Sequence, residues 1–335
     1  MDKKIVYVTN LNNSGKGSLR YELHHCENNT DIIFNVSGVI KLKSVLNITD
    51  KSNVSIYGET SIQGHGIIIL GNIGITNCTN VTIRYLKIRS IDLYKPSIEM
   101  NNSSYISLDH LSLSWGNISI IRIIKSDLVF ITNSILSITN EKSAFPHPIT
   151  IINNIDLPIH IYMTKCMIAF IKSSIPKIMG SVVTHFYDNI LYCYNDELKK
   201  FPFSLNNECS YVYTNDNKNI ITEHAKSHSM TKNIDSYQLL SRDKVILNLF
   251  KMLNNVGSSY PSRDILDTTI INDMLSFSDK SLSINKTAYD DIKKITHTFD
   301  PEINLYGPYF INKNKIIKIN IILDALKIKP ITNKI

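Results

Sequence analysis

The sequence predicts an all-β chain wound into a single-stranded parallel β-helix, and three observations carry that prediction. A short apolar phrase recurs, as Asn53-Val-Ser-Ile-Tyr-Gly, Asn80-Val-Thr-Ile-Arg-Tyr, Tyr105-Ile-Ser-Leu-Asp-His and Leu128-Val-Phe-Ile-Thr-Asn, with later copies at His160 and Val183. The starts at Asn80, Tyr105 and Leu128 lie 25 and 23 residues apart, and recurrence at that period signals a stacked architecture. Each phrase alternates with period two and is rich in β-branched residues, so each unit is a strand. No single copy could bury its apolar side alone, whereas stacked copies bury a continuous core. Composition agrees: Ile suits a tight repetitive interior and Asn suits its turns, because Asn tolerates left-handed backbone.

Taken in order, the elements fit this frame. A polar turn around Gly15-Lys-Gly precedes Ser18, which is placed to cap a short helix whose Leu19 and Leu23 face inward and close the end of the solenoid. The Gly-x-Gly lacks the spacing and the Lys-Ser/Thr of a phosphate loop. The first coils begin at Ile32–Leu42, and the repeated phrases continue to about residue 195. Residues 195–235 are polar and read as irregular loops or late coils. Val245, Ile246, Leu249, Phe250 and Leu253 fall at helical spacing, predicting a helix over 243–254 with Gly257 beyond it. A second helix is predicted from Pro261, with Ser262 as its cap, Asp264 in its first turn and a stripe of Ile265, Leu266, Ile270, Ile271 and Met274. Lys315–Ile322 alternates like a strand. The expected division is a solenoid with its cap over 1–235 and a helical cover with a basic tail over 236–335.

Composition limits the functions. The net charge is +7 over 335 residues; residues 311–335 hold six Lys and one Asp, so five of those charges sit in the tail and the body is nearly balanced. No specific nucleic-acid signal stands out. The five cysteines, Cys26, Cys78, Cys166, Cys193 and Cys209, are scattered and form no CxxC, which argues against a disulfide framework or a zinc site. The first residues do not form a signal peptide and no apolar run approaches membrane-spanning length. The expected location is intracellular or virion-associated.

Several phrases together resemble the pectate lyases. Val8-Thr-Asn-Leu with Gly15-Lys-Gly-Ser-Leu-Arg, Ile33-Phe-Asn-Val-Ser-Gly-Val-Ile, Val54-Ser-Ile-Tyr-Gly-Glu-Thr, Val81-Thr-Ile-Arg-Tyr-Leu-Lys-Ile-Arg and Leu108-Asp-His-Leu-Ser-Leu-Ser-Trp-Gly occur in the order of one polysaccharide lyase branch. The likeness covers about residues 5–195 and returns at Val256-Gly-Ser-Ser-Tyr-Pro-Ser-Arg-Asp-Ile-Leu-Asp. It implies a right-handed parallel β-helix.

The resemblance also implies a chemistry. Such enzymes cleave polygalacturonate by β-elimination, using calcium held by carboxylates, an Arg as base and further cations for the acidic sugars. Removing a proton beside a carboxylate requires cationic stabilisation of the developing enolate and a base of suitable reach, and calcium requires several hard oxygen ligands. Residue by residue, the calcium positions fall at Pro96 (or Ser97), Ile118 and Ser119, and the base position at Ser174. None supplies the required group. Arg122, Lys125, Lys142, Lys165, Lys172 and Lys177 are the cations expected near the groove, with Arg122, Lys142, Lys165, Lys172 and Lys177 as candidate sugar-binding residues. Asp109-His110 is expected to orient a turn, and Trp115 to pack at a coil corner. No cofactor is expected, calcium having lost its ligands.

The leading expectation is therefore a pectate-lyase-like protein without β-elimination activity that binds carbohydrate, an acidic polysaccharide foremost, or serves as a structural β-helix. One alternative is an active lyase for a uronate polymer with an altered, calcium-independent site using Lys177 or His147. Another is a structural component of a virus particle.

Overall fold

The structure is a computed structural model. It describes residues 3–61, 66–90, 95–116, 118–137, 147–169, 176–192, 204–205, 211–215, 218–220, 255–264, 266–268 and 270–271. Within these, the chain winds as a parallel β-solenoid of three sheets, each coil adding one strand to each. Sheet I has nine strands and includes Thr79–Arg84, Ser104–Asp109, Asp127–Thr132 and Ile159–Thr164. Sheet II has eight and includes Leu86–Arg89, Ser112–Ser114 and Ile135–Ser137. Sheet III has seven and includes Ile98–Asn101, Ser119–Ile124, His147–Asn153 and Lys177–Gly180. All pairings between these strands are parallel and in register.

The repeated phrase supplies sheet I, and its alternation sets the core. Val54, Val81, Ile106, Val129 and Ile161 form one inward column, and Ile56, Ile83, Leu108, Ile131 and Met163 the next, all buried. Sheet III contributes Ile75, Met100, Ile123, Ile151 and Ile178 from the other side. Each such side chain stabilises by about 1.5–3 kcal/mol relative to exposure, and like residues stack on like at the coil pitch. A period-two strand cannot slip by one residue without turning this whole set outward.

The corners are made by left-handed residues. Sheet III passes to sheet I through Asp50, Asn77, Asn102 and Lys125, and sheet I to sheet II through Tyr85, His110, Asn133, Lys165 and Asp188, all with φ between 46° and 55°. Asn tolerates this region best among residues with a side chain. At the first corner the amides form a ladder: Asn77 Nδ2 donates to Asp50 Oδ1 at 3.1 Å, and Asn102 Nδ2 to Asn77 Oδ1 at 2.9 Å. Just inside it a second ladder satisfies buried backbone, with Cys78 N donating to Ser103 Oγ and Ser103 N to Ser126 Oγ, both 3.1 Å. At the other corner Leu111 N, Ser134 N and Cys166 N donate in turn to Ser134 Oγ, Cys166 Sγ and Asn189 Oδ1. Cys26, Cys78 and Cys166 are free and buried; Cys193 and Cys209 lie outside the described residues. The starts of the repeat, Asn53, Asn80, Tyr105 and Leu128, are themselves left-handed.

The helix Leu19–His25 caps the solenoid as the sequence predicts. Ser18 Oγ accepts from Tyr21 N at 3.2 Å, Glu22 Oε1 accepts from Gly17 N at 2.9 Å, and Leu19 and Leu23 are buried.

Sheet II is buried on both faces over its strands Leu86–Arg89, Ser112–Ser114 and Ile135–Ser137, where residues 255–264, 266–268 and 270–271 lie across its outside. Its strand Leu86–Arg89 has every residue buried, and Val256, Leu266, Ile270 and Ile271 are buried with it. Gly257 N donates to Asn133 O at 2.7 Å and Ser258 N to Ser112 Oγ at 2.8 Å. A Cβ on Gly257 would come within 2.6 Å of Ile135 Cδ1, and its φ of 76° also favours glycine. Arg89 anchors this strap, donating to Asp264 Oδ2 at 2.6 Å and Asp267 Oδ1 at 3.1 Å. The predicted cap moves by two residues: Asp264 Oδ1 accepts from Asp267 N, and Thr268 N donates to Asp264 O, so Asp264 and not Ser262 starts the helical turn. The predicted helix over 243–254, the residues Ile265 and Met274, and the basic tail lie outside the described residues. No helix among the described residues is long and apolar enough to cross a membrane.

Candidate functional site

Sheet III presents the face on which two of the sequence-predicted residues, Arg122 and Lys177, stand in line. Its parity sends Glu99, Arg122, Thr150 and Lys177 outward in a single register column, with Asn47 and Gly74 before them. Beside it runs a second outward column of Thr49, Thr76, Asn101, Ile124, Ile152 and Met179. Glu99 and Arg122 are linked across adjacent coils, Arg122 Nη1 standing 3.4 Å from Glu99 Oε2, both partly exposed. Among the described residues Arg122 Nε and Thr150 Oγ1 make no hydrogen bond, and Thr150 is buried. Lys177 is half-buried.

At the margin of this face, where sheet II turns toward sheet III, stand Pro96, Ser97, Ile118 and Ser119. Pro96 is buried and its carbonyl accepts from Asn72 Nδ2 at 2.7 Å. Ser97 is buried, with Oγ donating to Ser114 O at 3.1 Å. Ile118 is 42% exposed. Ser119 is fully buried with no partner for its hydroxyl, and its register neighbour is His147, which is also buried. Trp115 is buried at the corner immediately after the strand Ser112–Ser114.

No family model matches the chain. It is 35% identical over 117 residues to a protein named probable pectate lyase C from Aspergillus terreus, covering 34% of this chain and 27% of that one. A protein of the same name from Neosartorya fischeri is 29% identical over 195 residues, covering 56% of this chain and 43% of that one. Over these stretches this chain is similar to the pectate lyases. The matches span less than half the length of these curated relatives. Among solved structures, the cedar pollen allergen jun a 1 overlaps 76% of this chain and 88% of its own at 13% identity and a TM-score of 0.49. A pectate lyase from Bacillus sp. N165, solved in complex with trigalacturonate, overlaps 76% and 93% at 16% identity and a TM-score of 0.46.

The candidate cations do not all meet. Arg122 and Lys177 share the outward column of sheet III. Lys125 stands at the corner leading to sheet I. Lys165 stands at the corner between sheets I and II, across the full width of sheet I from the groove. Equal coil-to-coil spacing did not reveal this, because neighbouring residues in one coil leave the solenoid at different corners. Lys142, Lys172 and Ser174 lie outside the described residues. Glu99 was not among the predicted site residues. Its signal was present in the sequence: it precedes Arg122 by 23 residues, the local coil length.

Asp109-His110 sits elsewhere, at the edge of sheet I. Asp109 Oδ1 accepts from Thr132 Oγ1 at 2.7 Å and Asn133 Nδ2 at 3.0 Å, while Oδ2 lies 2.8 Å from His110 Nδ1 and 3.5 Å from Arg84 Nε. Burial alone would raise this carboxyl; the imidazole and the two hydrogen bonds outweigh it and hold it at about 2. His110 stacks on Tyr85 at 4.5 Å, and Arg84 also reaches Glu59 at 3.2 Å. Burial raises the Glu59 carboxyl, opposed by its backbone hydrogen bond and by Arg84. These contacts join consecutive coils and fix the left-handed corner at His110.

Proposed function

We propose that this protein binds a uronate-containing polysaccharide along the outer face of sheet III and does not cleave it by calcium-assisted β-elimination. The observation that carries the reading is the composition of the outward column, Glu99-Arg122-Thr150-Lys177. It offers the partly exposed donors of Arg122 and Lys177 in line along the solenoid axis, with buried Thr150 between them, and a single carboxylate, which is paired with a guanidinium. Calcium takes six to eight oxygens, commonly including two or more carboxylates. Pro96, whose carbonyl is engaged, apolar Ile118 and buried Ser119 do not form such a set, so no step is assigned to the metal. At the base position Ser174 is a neutral hydroxyl, unable by itself to stabilise an enolate or take its proton at neutral pH.

The test follows the ultraviolet absorbance of the unsaturated product with polygalacturonate and with pectin, each in calcium and in chelator. The expected result is no product in any mixture from protein whose circular dichroism shows intact β-structure, with binding detected by affinity electrophoresis. Calcium-dependent product would overturn the loss of the metal site. Product that survives chelator would support a second reading, a metal-free lyase. That reading draws on the unpartnered Ser119 hydroxyl and on His147, its register neighbour.

A further inference from the structure

Resting on the reading of sheet III as a glycan-binding face, we infer that it takes a uronan whose carboxyl groups are largely esterified, not the free polyanion. The two outward columns carry the argument. Among the described residues of the first, the charges are Glu99, Arg122 and Lys177; Glu99 and Arg122 stand 3.4 Å apart, which leaves Lys177 as the cation without an acidic neighbour in that column. The second column becomes apolar over the same coils: Asn101 is followed by Ile124, Ile152 and Met179, and Met179 is 36% exposed.

Successive coils are about 4.8 Å apart, comparable to the length of one pyranose ring. A free polyuronate lying along the columns would bring a negative charge at nearly every ring. It would set several of these against the two cations of that column among the described residues, one already paired, and would place one charge near the partly exposed carboxylate of Glu99. Like charges opposed across an interface act against binding. The apolar strip would leave further carboxylates with no donor, which costs more than the contact returns. Esterification removes both penalties: the methyl group has Ile124, Ile152 and Met179 to lie on, while Arg122 and Lys177 still donate to hydroxyl and ester oxygens. Glu99 then acts as a specificity residue, keeping the face closed to the fully charged polymer.

The experiment titrates the full chain with galacturonate oligomers of one length, as free acid and as methyl ester, by calorimetry at low and moderate salt. The ester is expected to bind about tenfold or more tightly than the acid, with little salt dependence. Glu99→Gln is expected to raise affinity for the acid several-fold and to leave the ester within about twofold; Met179→Glu is expected to weaken the ester. Tighter binding of the acid, falling steeply with salt, would overturn the inference while leaving the glycan-binding face standing. An unchanged acid affinity in Glu99→Gln would remove the role given to Glu99. Absence of binding by either oligomer would refute the face itself, and the inference with it.

Discussion

Arg89 and Asp109 show how much one side chain can carry in this fold. Arg89 is buried on sheet II, and its guanidinium is divided between Asp264, Asp267, the carbonyl of Ser112 and the hydroxyl of Ser114. Removing one partner of a buried pair leaves an uncompensated charge, at a cost of about 3–5 kcal/mol. Asp264→Asn should therefore lower the unfolding free energy, measured by denaturant titration, by an amount in that range. Replacing Arg89, Asp264 and Asp267 together with apolar residues should cost less than Asp264→Asn alone. Asp109 governs a pH window. Its carboxyl lies at about 2 in the folded chain against about 3.9 unfolded. Its stabilising contribution is complete above about pH 4 and is lost as pH falls toward 2. That contribution is about 2 kcal/mol, and acid unfolding followed by circular dichroism should show a shallower slope over this window in Asp109→Asn.

At the scale of strands and corners, the left-handed residues set where each sheet begins. Asn102 combines φ of 49° with an amide that continues the ladder to Asn77. Asn102→Val should cost about 1–3 kcal/mol, combining left-handed strain in a β-branched residue with a lost hydrogen bond. Asn102→Gly should cost less, since only the ladder contact is lost. Urea titrations of both variants measure the difference. The sequence made sheet I legible because its six-residue strands recur in a common phrase long enough to show alternation, whereas the strands of sheet II and most of those of sheet III have four residues or fewer, too short for a period to emerge. The helix at Leu19 was legible through its cap. The helical turn after Asp264 was placed two residues early because Ser262 and Asp264 are both good caps, and only Arg89, which takes the other carboxylate oxygen of Asp264, shows which of them is held in place. Lys165 was misjudged as a groove residue because residue spacing reports the coil and not the corner. Glu99 went unrecognised as a partner of Arg122 because that pairing exists only once the coils are stacked.

The molecule as a whole is a one-dimensional stack to which a distant segment has been tied. Each coil rests on its neighbours, so stability should accumulate coil by coil. A chain ending before residue 255 would leave the outside of sheet II uncovered, with Ile135 and Met167 facing water beside Lys87 and Arg89. Such a chain is expected to bind a hydrophobic dye and to aggregate, whereas the full chain is not; dye fluorescence and light scattering distinguish them. The strap also changes the order of events. Its ion pairs join residues 175 and 178 positions apart in sequence, while the ladder contacts of the coils close at about one repeat. Local closures form early and distant ones late. On the ribosome the coils around Arg89 would emerge long before Asp264 and Asp267 exist. For that interval a buried-to-be guanidinium stands open on an apolar sheet, exposed to other chains. The last stretch to be translated into this clasp thus decides when the nascent protein ceases to be adhesive.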